Sequence, residues 1–147
     1  MREILFRGKP ENSNQWAMGY YYHMAETTYC FAEDYEGKPV PEHHYIMFEQ
    51  MTDWGLPNQM YQVEVDPATV GQYTGLSDVD GRRIFDGDIV EDYGGGNRYV
   101  IRFVDGYFLA YRSMDTLFGQ EIDMMRVIGN VFDNPELFGG ANNGDPD

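Results

Sequence analysis

The chain has 147 residues, 42% hydrophobic and 16% aromatic, enough for one domain or a small domain with an elaborated arm. No apolar run is long enough for a transmembrane helix, and the opening MREILFRGK is too short and too charged for a signal peptide, so a cytoplasmic protein is expected. Residues 1–70 hold 11 acidic and 4 basic side chains (−7) and residues 71–147 hold 14 and 6 (−8), a net −15 that repels phosphate backbones; neither direct nucleic-acid binding nor a membrane partner is expected.

Short β-patterned runs dominate the first half. Ile4 and Phe6 alternate with charged neighbours in REILFR. After the polar bend GKPENSNQ comes WAMGYYYHM (16–24), with TTYCFA (27–32) as its expected hairpin partner. YEGKPVPEHH (35–44) reads as a loop from its prolines and charges. YIMFEQ (45–50), the turn TDWGLPNQ (52–59) and the strand MYQVEV (60–65) follow, with Tyr61, Val63 and Val65 on one face.

Turn residues become denser from Val70. DIVEDY (88–93) is a strand ending at GGGN. RYVIRFV (98–104) alternates Tyr99, Ile101 and Phe103 against Val100, Arg102 and Val104. Asp105-Gly106 turns the chain into YFLAYR (107–112), because Asp-Gly accepts the positive φ angles of a two-residue hairpin turn. SMDTLFGQEIDMM (113–125) is the best helix candidate, weakened by Gly119. RVIGNVF (126–132) is the last strand, NPELF (134–138) a short helical turn, and GGANNGDPD (139–147) a disordered tail.

These elements predict a mainly β protein with little helix. An N-terminal β-rich arm covers 1–69. Residues 70–138 have the five or six short strands and tight turns of an SH3-like β-barrel or roll.

The stretch DVDGRRIFDGDIV, Asp78–Val90, gathers four aspartates. An EF-hand loop fails in either register: with Gly81 at position 6, position 12 is Gly87, and with Asp78 at position 1, Arg83 takes the glycine position. A phosphate loop lacks its lysine and glycine spacing. A looser cation site would need Asp78, Asp80, Asp86 and Asp88 to converge, while Arg82 and Arg83 stand ready to neutralise them. Turn architecture accounts for the stretch better, with Asp80-Gly81 and Asp86-Gly87 as reversals.

His23, Glu42, His43 and His44 raise the question of zinc. Adjacent histidines on an extended segment point to opposite faces, so at most one serves a given site, and a surface loop is the plainer expectation. Cys30 is the sole cysteine, which rules out an internal disulfide and a multi-cysteine zinc cluster; it reads as a small core residue. Tyr20-Tyr21-Tyr22, Trp16 and Trp54 could line a peptide groove, but alternation sends part of the set inward.

VEVDPATVGQYTGLSDVDGRRIFDGDIV resembles the signature of the YopX family of phage and prophage proteins. The likeness lies in Thr69-Val70-Gly71-Gln72-Tyr73-Thr74-Gly75-Leu76, Asp78, Gly81, Ile84 and Gly87-Asp88-Ile89-Val90. Arg2-Glu3-Ile4 and Phe6-Arg7 extend it at the start, and Ile128-Gly129-Asn130-Val131 with Asn134-Pro135-Glu136-Leu137 at the end. Residues 16–60 match least. The resemblance implies a phage-related origin and an SH3-like β-roll in the C-terminal part, but no activity. No catalytic, cofactor-binding or metal residue is assigned.

The leading expectation is therefore a non-enzymatic protein-interaction module with an unidentified protein partner, self-association being left open. The alternatives are an acidic mimic of DNA that occupies a basic protein, and a metal-dependent enzyme built on the Asp78–Asp88 cluster.

Overall fold

The computed structural model describes residues 1–94, 96–112, 115–117 and 122–138. Among the described residues strands predominate, ten of them beside the short helices at Ala32–Gly37 and Pro135–Phe138, so the fold is mainly β, and the residues group into two compact units. One unit is residues 5–70; the other is residues 1–4 together with the described residues from 71 onward.

In the first unit β1 (Phe6–Pro10), β2 (Ala17–Ala25), β3 (Glu42–Gln50) and the part of β4 (Gln59–Ser77) up to Val70 pair antiparallel in chain order, and β1 also pairs with β4. Ile46 and Val65 form its fully buried centre. Gly8 lies against Val65, leaving no room there for a larger side chain. The expected turn at 52–59 joins β3 to β4 and is closed by Leu56 N–H donating to the Asp53 carbonyl at 3.2 Å.

The hairpin partner of β2 differs from expectation. TTYCFA forms no strand; β2 pairs with β3 from Ala25↔Glu42 to Tyr20↔Met47, so Glu42, His43 and His44 belong to the ladder and not to a loop. Glu26 N–H donates to the Pro41 carbonyl at 2.9 Å and closes a long connection. Within it, Ala32–Gly37 makes a short helix, α1, with Glu33 and Asp34 in its first turn, where carboxylates suit the helix dipole. Cys30 and Phe31 are exposed rather than core.

The second unit pairs the end of β4 with β5 (Arg83–Phe85). Its sheet runs in the order β10 (Arg126–Asn130), β6 (Asp88–Glu91), β7 (Arg98–Val104), β8 (Tyr107–Arg112), β9 (Asp115–Leu117). Ile84, Val90, Tyr99, Ile101, Ala110, Ile122 and Met125 pack into its core. Inward alternation holds for Tyr99 and Ile101, but Val100 on the opposite face is buried too, and Phe103 is exposed against Phe108. Pro135–Phe138 forms the expected helical turn as a 3₁₀ segment. The helix expected over 113–125 meets a strand at β9, whose pairing Arg112↔Asp115 overrides local propensity. Residues 113–114 and 118–121 of that stretch, and the expected disordered tail 139–147, lie outside the described residues.

The β7–β8 hairpin turns at Asp105 and Gly106, with φ of 52° and 85°. A β-branched side chain is strained in that region, so Gly106→Val should lower stability by about 1 kcal/mol or more. Thermal denaturation checks this; an unchanged midpoint would contradict the turn.

Candidate functional site

Among the described residues, no three of the aspartates of 78–88 bring their carboxylates together as a metal site would need. Asp78, almost fully buried, accepts backbone N–H bonds from Asp80 and Arg82 at one oxygen and from Val127 at the other, all at 2.9 Å. Burial pushes its carboxyl upward. The N–H groups of Val127, Arg82 and Asp80, helped by the Arg82 charge, outweigh that and hold it below the usual carboxylate range. Asp80 meets Arg126 at 2.9 Å, Asp86 lies 4.0 Å from Arg102, and buried Asp88 accepts the Phe85 N–H at 2.8 Å. These contacts brace the β4–β5–β6 corner and its tie to β10.

The first unit carries a surface of different character. Antiparallel sheets usually turn a polar face to water. On β2 the consecutive outward positions Met18, Tyr20, Tyr22 and Met24 are 42%, 58%, 49% and 38% exposed. Opposite Tyr20, Tyr22 and Met24 in the ladder stand Met47, Tyr45 and His43 of β3. Beside Met18 a groove of about 660 Å³ opens, lined by Pro10, Trp16, Phe48 and Val63. The Arg7 guanidinium lies 4.8 Å from the Trp16 ring centroid. Of the aromatic set read from the sequence, Tyr20 and Tyr22 lie on this face, and Trp16 lines the groove. Tyr21 points the other way against Phe6 and His44. Trp54 is exposed in the β3–β4 turn. The period-2 row from Met18 to Met24 was readable in advance; its solvent exposure was not.

The two faces of the β2–β3 hairpin also separate the histidines. His43 sits between carboxylates, with Glu64 at 2.6 Å from Nδ1 and Glu26 at 3.1 Å from Nε2. These contacts raise its pKa above the usual histidine value, Glu64 acting most. On the opposite face His23 and His44 are ladder partners with parallel rings 4.5 Å apart. His23 Nε2 lies 3.3 Å from a Glu42 oxygen. The Tyr21 hydroxyl is 2.6 Å from His44 Nδ1. Burial, then the Glu42 charge, pushes that hydroxyl upward. Reading EHH as a loop had hidden this grouping; the i, i+2 spacing of Glu42 and His44 was its only sequence signal.

The described residues contain no helix long and apolar enough to cross a membrane. No match was found among curated proteins. Among solved structures, the crystal structure of protein EF1440 from Enterococcus faecalis is similar, with a TM-score of 0.52 at 21% identity. The alignment covers 94% of this chain and 99% of that one, a likeness of fold. The family model described as YopX protein matches residues 5–139, nearly the whole chain, and the protein belongs to the YopX family.

Proposed function

We propose that this chain is a non-enzymatic protein-interaction module, encoded by a phage or prophage and acting in the host cytoplasm. Its docking surface is the outward face of β2 and β3 with the adjoining groove. One observation carries this reading: four successive outward positions of β2 are methionine or tyrosine and stand open to water. Contiguous exposed apolar surface of this kind marks interaction sites. Tyrosine and methionine are the side chains that interfaces favour, tyrosine for its flat apolar body with a polar tip, methionine for its adaptability.

The partner that fits is a basic protein. Glu26 follows β2, Glu49 lies on β3 and Glu64 stands opposite Tyr45 on neighbouring β4, and the whole chain carries −15, so a positively charged rim around an apolar centre would be steered toward the face. The same charge argues against nucleic acid as a direct ligand, which a mobility-shift titration at physiological salt checks. In this reading residues 70–138 are a variant of the SH3-like roll, supported by short antiparallel strands joined through tight turns.

Tyr20→Ser combined with Tyr22→Ser tests the surface. Both side chains are half exposed, so the melting temperature should hold. A basic host protein retained by the parent chain should be lost by the double variant, with direct binding of the purified pair weakened at least about tenfold, hot-spot tyrosines commonly being worth 2 kcal/mol or more. Equal binding by both chains would remove this face from the proposal.

A further inference from the structure

We propose that His23, Glu42 and His44 form a binding site for one divalent transition-metal ion of the zinc type, on the hairpin face opposite the tyrosine row. One ligand atom from each residue lies within 4.8 Å of the other two. The ladder produces the grouping. His23 faces His44 directly across β2 and β3, and Glu42, two residues before His44, projects to the same side.

Zinc takes two imidazole nitrogens and a carboxylate oxygen at about 2.0–2.2 Å and keeps a fourth position for water. Bonds of that length set tetrahedral ligand atoms about 3.4 Å apart, so the three groups must draw together by roughly an ångström. His23 Nε2 and the Glu42 oxygen are already at 3.3 Å, and their side chains, 44% and 57% exposed, have the freedom to turn.

His44 is the orienting member. Its ring stacks between Tyr21 and His23, at centroid distances of 5.9 and 4.5 Å, and its Nδ1 is engaged by the Tyr21 hydroxyl. In the tautomer whose Nδ1–H donates to the Tyr21 oxygen, Nε2 carries the lone pair offered to the ion. A hydrogen bond at the second ring nitrogen is the usual way a metal-binding histidine is held in place. Two imidazoles select zinc, nickel or copper over calcium and magnesium, which want oxygen alone. His43 supplies an internal contrast: Glu64 and Glu26 approach its two different ring nitrogens, so they do not converge on one point.

Zinc chloride titrated calorimetrically into chelator-treated protein should show one saturable ion per chain, with magnesium and calcium giving none. His23→Ala and His44→Ala should each weaken binding by more than the roughly tenfold loss expected of Tyr21→Phe, which removes only the orienting hydroxyl. His43→Ala should leave it within about threefold. Should any variant unfold, the histidine ring resonances of the parent chain decide: zinc must shift those of His23 and His44 and spare His43. Absence of saturable zinc binding, equal loss in His43→Ala, or a shift at His43 alone overturns the site.

Discussion

Asp78→Ala should destabilise the second unit by about 3 kcal/mol or more, because it leaves three backbone donors without their acceptor and each such loss costs about 1–3 kcal/mol where water cannot replace it. Those donors belong to Asp80, Arg82 and Val127, so a single carboxylate joins the β4–β5 turn to β10. Two backbone bonds run beside it: Asp78 N–H to the Arg82 carbonyl at 2.8 Å, and Val79 N–H to the Met125 carbonyl at 3.0 Å. Losing the carboxylate loosens both edges of the core that holds Met125 and Val127. Asp80→Ala is the matching control. Its contact with Arg126 is half exposed on both sides, and such pairs contribute about 1 kcal/mol at most. Denaturant melts of the two variants should differ widely; similar midpoints would show that Asp78 is not the clamp.

The same residue sets a pH dependence. Its folded-state carboxyl titrates below its unfolded value, so its ionised form stabilises the fold fully above the unfolded pKa of about 3.9. That contribution disappears as the pH falls through the folded pKa. Asp78→Asn keeps the side-chain shape but turns an amide N–H₂ toward donors. The gap in stability between it and the parent chain should therefore be full at neutral pH and close only in strong acid. A gap that stayed constant down to acid pH would mean that the charge of Asp78 contributes nothing.

Apart from β9, the strands of the second unit were legible in the sequence because local chemistry decides them. Asp105-Gly106 needs positive φ, and alternating apolar residues on β7 and β8 have a core to face. The family signature reads in the same terms. The Thr74 hydroxyl donates to the Ile84 carbonyl at 2.8 Å and accepts the Leu76 N–H at 3.1 Å, and Asp78 and Asp88 accept backbone N–H groups nearby. What stayed hidden depended on pairing over distance. Thr27–Ala32 has strand composition, yet the register of β2 with β3 passes it by and takes Glu42–His44 instead. The histidine grouping and the open tyrosine face both follow from that one register. A single sequence does not encode it in any local signal, since a shift by one residue would have sent each side chain to the other face.

Gly71→Ala should cost about 1–3 kcal/mol, the range for forcing an extra group into a packed site. A Cβ at Gly71 would stand 2.6 Å from the Asp86 carbonyl oxygen and 3.4 Å from the Asp86 Cβ. The obstacle is backbone, so no side-chain rotation relieves it and the β5–β6 corner must move. That corner is tied on several sides. Asp86 N–H donates to the Gln72 carbonyl at 2.9 Å and Gly87 N–H to the Ile101 carbonyl at 2.8 Å, while the Gly87 carbonyl accepts the Val131 N–H at 2.9 Å. Displacement there reaches Ile84, Ile89 and Ile101, all fully buried. Gly96→Ala, in the same unit, meets nothing closer than an Asp92 oxygen at 3.9 Å and should leave the fold nearly unchanged. Calorimetric melting of both variants separates a steric cause from a general cost of replacing glycine: a loss confined to Gly71→Ala supports close backbone approach as the reason for glycine at this position, and equal losses reject it.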